Sequence, residues 1–274
     1  MIYDVSSAEQ LLPVAEVILA IQEVMPSHVE CAGPLVVGAM ARDLALHYVG
    51  GDMIQRQTDD VDVAVRVPSW ADFDALVRAF GAGRRTHRIR VAGCQVDVVP
   101  FGQLEVPEGC VSFQEDRPMN VLGLAEAMAT ADEYVLPRGC TVRVPTLAMQ
   151  AVLKVIAWMD RGRSSNKDAI DLALILPAYD QPRWNEHLLT AGIKHLKAAK
   201  WVRVAGAAGL LGREAAEVLK PATKCALAQA DPELLTRASA PSWAHGLIPR
   251  SEVRLAVEAF LTSATADLDD AERQ

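Results

Sequence analysis

The chain has no apolar run approaching the ~18 residues of a membrane-spanning helix, so no membrane association is expected. It has no low-complexity tract and no internal repeat. Its five cysteines (Cys31, Cys94, Cys110, Cys140 and Cys225) are odd in number and far apart. They read as thiols in a reducing compartment rather than as a disulfide framework. No Cys-x-x-Cys or His-x-x-x-His pair exists, which argues against a structural zinc site. The first residues lack the basic flank and apolar stretch of a signal peptide, so a cytoplasmic location is expected. The six histidines form no cluster, and none supports a nucleophilic triad; His87 reads as a surface residue. A net charge of −8 argues against simple charge-driven binding to DNA.

What is present is a chain of 274 residues, 51% of them hydrophobic, long enough for two domains. Residues 9–25 carry apolar side chains at helical spacing. Leu35-Val36-Val37 reads as a buried strand ending at Gly38, and Ala41 to Tyr48 as a helix stopped by Gly50-Gly51. In Val61-Asp62-Val63-Ala64-Val65-Arg66-Val67 the valines fall on every second position, a strand signal that Pro68 ends. Residues 69–80 read as a helix. Arg88–Val91 and Cys94–Val99 read as two strands with Ala92-Gly93 as a hairpin turn. The order predicts an α/β (α+β) fold: a small mixed β-sheet with flanking helices, over residues 1–145. Beyond Pro145 the character changes. Residues 147–159, 167–176 and 185–262 read as helices broken near Gly192, Pro221, Pro232 and Pro249, so 146–274 is expected to be an all-helical domain.

The segment Thr58-Asp59-Asp60-Val61-Asp62 is the most informative. On a strand, Asp60 and Asp62 share one face, with Cα atoms roughly 6.5–7 Å apart. Such a pair can converge on hard divalent cations, and magnesium takes oxygen ligands of this kind. Gln95-Val96-Asp97-Val98-Val99 supplies a third carboxylate in mid-strand, where charges are rare unless paired or bound to metal. Taken alone, Asp60 and Asp62 also fit the start of a solvated strand face. The turn Val37-Gly38-Ala39-Met40-Ala41-Arg42-Asp43 adds to the case. Glycine lets the backbone approach a phosphate, and a helix start offers free N–H groups. An ordinary strand-to-helix turn is the plainer account of Gly38, and a carboxylate in a helix's first turn that of Asp43.

Strand, Gly-x-x-x-Arg-Asp, helix, Thr-x-Asp-Val-Asp and a lone Asp on a later strand together resemble the DNA polymerase β-like nucleotidyltransferase superfamily. With Gln95-Val-Asp-Val-Val-Pro-Phe-Gly102 and Lys167-Asp-Ala-Ile-Asp-Leu172, the chain resembles bacterial AbiEii-like nucleotidyltransferase toxins. The resemblance covers roughly residues 33–176. It implies two Mg2+ ions on Asp60, Asp62 and Asp97, which would then be both metal ligands and catalytic residues. It implies a nucleoside triphosphate (NTP) against Gly38, Ala39, Arg42, Asp43 and Thr58. The reaction would be attack of an acceptor hydroxyl on the α-phosphate, in a cleft between the domains. RNA or tRNA, a protein or a small molecule stand as acceptors, and a cognate antitoxin as a partner. The superfamily commonly has Gly-Ser or Gly-Gly at the turn, where this chain has Gly38-Ala39. A catalytically silent, regulatory nucleotidyltransferase fold is the alternative, and a helical interaction protein with an incidental acidic strand is a further one.

In the helical half, Lys154 is the one charge in the middle of an apolar helix. It either contacts phosphate or pairs with an acid. Asp168 fits a helix-capping carboxylate after Ser165-Asn166, and shares a helix face with Asp171 at i, i+3. Both fit partners for Lys154 or Arg161, or neighbours of the nucleotide. Residues 181–254 carry a net charge of +5 in an otherwise acidic chain. Lys194, Lys197, Lys200 and Arg203 recur every third residue on one expected helix. They read as a solvated face or as a phosphate-tracking surface for RNA.

Overall fold

The computed structural model describes residues 1–25, 33–52, 60–83, 86–113, 118–162, 165–239 and 249–266. These fall into two compact units, Met1–Thr146 and Leu147–Gln274.

In the first unit, among the described residues, seven strands form one mixed sheet. The strands are β1 (Ile2–Asp4), β2 (Leu35–Val37), β3 (Asp60–Val67), β4 (Arg88–Val91), β5 (Cys94–Gly102), and β8 (Asp132–Val135) and β9 (Thr141–Val144). Their order is β1-β8-β9-β2-β3-β5-β4. A separate small ribbon pairs β6 (Cys110–Val111) with β7 (Met119–Asn120). The helices of this unit are α1 (Leu12–Val24), α2 (Gly38–Asp43), α3 (Trp70–Ala79) and α4 (Leu124–Ala129). The strand–helix order expected from the sequence holds, but the sheet is larger than expected. Strands β1, β8 and β9 have only three or four residues each, too short to show alternation above background.

Strand β3 has the burial its alternation demands. Val61, Val63, Val65 and Val67 are buried, while Asp60 and Asp62 are half-exposed and Arg66 exposed. Pro68 ends it, and Ser69 starts α3 by accepting a hydrogen bond from the Asp72 backbone N–H at 3.3 Å. Ala92 and Gly93 both have positive φ (49° and 84°), which closes the β4–β5 hairpin in two residues. His87, expected at the surface, is instead half-buried, its ring 5.2 Å from that of Phe113. Helix α2 begins at Gly38 itself and runs into a π-helical turn over Leu44–Val49.

The second unit, among its described residues, is helical. It contains α5 (Leu147–Arg161), α6 (Lys167–Ile175), α7 (Asn185–Thr190), α8 (Ile193–Ala198), α9 (Arg203–Val218), α10 (Pro221–Leu227), α11 (Pro232–Ala238) and α12 (Arg250–Ala264). Prolines open α10 and α11, where a missing N–H costs no hydrogen bond. Helix α9 packs closely on α12, because a side chain at Gly212 would lie 2.4 Å from the Phe260 carbonyl. The lysine stripe does not lie on one helix: α8 ends at Ala198, and Lys200 and Trp201 take left-handed conformations before α9. Lys194, Lys197 and Lys200 are exposed, whereas Arg203 is tied to Asp180 and Asn185.

Candidate active site: three carboxylates and a glycine turn

Strands β3 and β5 run parallel, with Asp62 beside Asp97 and Asp60 beside Gln95. Neighbouring strands lie about 4.8 Å apart, so Asp62 and Asp97 are side by side on one face. Asp60 joins them two residues along the same strand. On the other side, β2 pairs with β3 so that Val37 stands opposite Asp62. The chain then turns at Gly38, which has φ of +69°. A Cβ built on Gly38 would lie 2.0 Å from Asp62 Oδ2. The glycine is therefore required twice, by its left-handed backbone and by the carboxylate beside it. Backbone that turns into a helix and an acid able to bind metal meet at this one point.

Strand β4 adds a residue that the sequence reading passed over. Arg88 is the register partner of Asp97. Its Nε donates to Oδ1 at 2.8 Å and its Nη2 to Oδ2 at 2.9 Å, a two-pronged pair. These hydrogen bonds, then the charge of Asp97, with smaller contributions from Asp60 and Asp62, push the Arg88 pKa further above its already high value. The three acids thus act on one cation from the same face. Among the described residues, no group of three acidic, histidine or cysteine side chains is gathered closely enough to hold a metal ion as it stands.

The donor set nonetheless suits a hard divalent ion. All three groups are carboxylates, on rigid strands, and a guanidinium already stands beside them as a cation. The glycine lets the Asp62 carboxylate lie where a Cβ would otherwise stand.

The remaining turn residues face elsewhere. Ala39 is buried, and Arg42 is only 2% exposed. Arg42 donates from Nε and Nη2 to Oδ1 of its neighbour Asp43, at 2.8 and 2.6 Å. Burial and the Asp43 charge raise the pKa of Tyr48. The Arg42–Asp43 pair thus belongs to the interior beneath the turn. Thr58 lies outside the described residues.

In the second unit, α5 and α6 bury a compact ion cluster. Lys154 Nζ donates to Asp171 Oδ2 at 2.6 Å and to Asp168 Oδ1 at 3.3 Å. Arg161 grips Asp168 through Nε and Nη2 at 2.7 and 3.0 Å. Asp168 and Asp171 are fully buried and Lys154 nearly so. Asp168 is therefore no helix cap: its carboxylate serves buried cations, and Asn166 makes no side-chain cap.

Burial by itself raises the Asp168 pKa, but Arg161 and Lys154 more than offset this and hold it below 3.8. A depressed folded-state pKa stabilises the fold above the unfolded value and is lost as pH falls through the folded one. Stability measured by urea denaturation should therefore be flat in this contribution above about pH 5 and decline below about pH 4. Asp168→Asn should reduce that decline.

Gly38→Ala provides a direct check of the turn. The positive φ alone costs about 1 kcal/mol, and the methyl group must displace the Asp62 carboxylate. The expected result, for a turn that abuts a nucleotide, is a melting temperature lower by a few degrees and weakened nucleotide binding. An unchanged affinity would show that the turn does not abut the nucleotide.

No helix among the described residues is long and apolar enough to cross a membrane. No curated protein matches the chain. A family model described as nucleotidyl transferase AbiEii toxin, type IV TA system, matches residues 36–262. That span takes in the glycine turn, all three carboxylates and the buried ion cluster, and on it the chain belongs to the AbiEii nucleotidyltransferase toxin family.

Proposed function

We propose that the chain moves a nucleoside monophosphate from an NTP to an acceptor hydroxyl, on the sheet face carrying Asp60, Asp62 and Asp97, with two Mg2+ ions. Membership of the family makes the activity nucleotidyl transfer and implies a cognate antitoxin. The observation that supports the proposal is the close approach of Gly38 to the Asp62 carboxylate, which brings the turn and an acid of β3 together.

Asp60 and Asp62 would hold the ions, with Asp97 completing the set from β5. Bound divalent ions supply charge neutralisation over the triphosphate and lower the pKa of the acceptor hydroxyl. Backbone N–H groups of the Gly38 turn would receive a phosphate oxygen. The Asp97 carboxylate would take the acceptor's proton as its oxygen bonds to the α-phosphorus. The bond from that phosphorus to the bridging oxygen breaks in the same in-line displacement, and pyrophosphate leaves. The chain's contribution is mainly position and fixed charge.

Arg42 and Asp43 then support the glycine turn from within, and Lys154 with Asp168 and Asp171 ties α5 to α6 in the helical unit: each is buried and ion-paired. RNA is the acceptor favoured by the exposed Lys194, Lys197 and Lys200 in an acidic chain.

The test is transfer of label from each α-labelled triphosphate to RNA, protein and small-molecule pools, with Mg2+ or with excess chelator. Mg2+-dependent labelling of RNA is expected, weakened when Lys194 and Lys197 become Gln. Labelling that survives chelation would overturn the metal role. Labelling confined to another pool would overturn the RNA acceptor.

A further inference from the structure

Arg88 is not needed by the sheet. It sits on edge strand β4, its side chain is 57% exposed, and exposed ion pairs contribute little to folding. Yet it occupies both oxygens of Asp97. The two-residue hairpin fixes its backbone opposite Asp97, while its exposed side chain is long enough to reach a second partner. A guanidinium and a divalent cation on one carboxylate repel each other. Binding of metal at Asp97 must therefore weaken the hold of Arg88. The released guanidinium would remain on the face that carries Asp60 and Asp62, and its planar fork matches phosphate oxygens as well as carboxylate ones.

We propose that Arg88 is an exchanging positioning residue: it neutralises Asp97 while the site is empty and transfers to a phosphate oxygen of the NTP when metal and nucleotide bind. The inference rests on the metal-site reading above. It explains why Asp97, in register with Asp62, is not gathered into a cage with the acids of β3: both its oxygens are held by Arg88. Arg88 thereby lowers affinity for metal alone and raises affinity for metal with nucleotide, which favours loading of the two together.

The experiment measures Mn2+ binding to the full chain by electron paramagnetic resonance without nucleotide, and binding of each NTP with Mg2+ by equilibrium dialysis. For R88Q the expected results are about tenfold tighter Mn2+ binding and about tenfold weaker Mg2+-dependent NTP binding, from loss of one charged contact. R88K should restore wild-type Mn2+ affinity, since its charge remains, but only part of the NTP affinity, since the fork is lost. Unchanged Mn2+ affinity in R88Q would overturn the competition. Unchanged NTP affinity would overturn the exchange. Asp62→Ala separates the two readings. If it binds Mn2+ as wild type does, the metal site itself is wrong. If it loses Mn2+ while R88Q matches wild type, only the role of Arg88 falls.

Discussion

Lys154→Met is expected to cost about 3–5 kcal/mol of folding stability, the range for removing one partner from a buried ion pair. The substitution keeps length and apolar volume but takes the ammonium from two fully buried carboxylates, Asp168 and Asp171. Arg161 still serves Asp168, so the loss should fall chiefly on Asp171. Urea denaturation of the purified chain measures it. The double variant Lys154→Met with Asp171→Leu should recover most of the loss, because burying two apolar groups avoids the desolvation cost of the pair. A single variant within about 0.5 kcal/mol of wild type, the size of an ordinary surface change, would mean that the cluster is not a structural element. The phosphate role weighed for Lys154 from the sequence makes a different demand, namely normal stability with weakened triphosphate binding. Its hydrogen bonds to two buried acids favour the stability outcome.

The second large effect is on turnover. Asp62→Ala should reduce nucleotide transfer by at least about a thousand-fold, near 4 kcal/mol of transition-state stabilisation. Asp62 is the acid that touches both the turn and the neighbouring strand, being beside Asp97 in register and against Gly38. Folding should survive, since the side chain is half-exposed and removing one of three like charges relieves repulsion. A melting temperature equal to or above that of wild type without metal, with transfer lost, is the combined signature. Transfer within tenfold of wild type would remove Asp62 from the metal-binding set.

Much of the site was legible in the chain itself. Valine alternation in β3 determines that Asp60 and Asp62 share a face. Pro68 and Ser69 determine where that strand stops and α3 starts. Arg88 was within reach too: a two-residue turn at Ala92-Gly93 puts Val91 opposite Cys94, and counting back puts Arg88 opposite Asp97. Nothing in the residue types of Arg88–Val91 singles Arg88 out as a carboxylate partner; only its register position does. The boundary of α8 was misjudged for a different reason. Lys200 and Trp201 adopt left-handed backbone that nothing in their residue types announces.

The sequence by itself determined the local alternation, the hairpin register and the composition of the acid set, because each depends on bonds and turns between residues close in the chain. Only the tertiary structure decided that β5 runs parallel beside β3 with Asp97 level with Asp62. The pair is joined by a helix and another strand, and no local rule fixes the register of a crossover that long. Only the tertiary structure decided that Gly38 meets Asp62, and that Lys154 pairs inward with Asp171. A lysine amid apolar residues is compatible with a buried acid or with a phosphate, and which it meets depends on the helix packed against it.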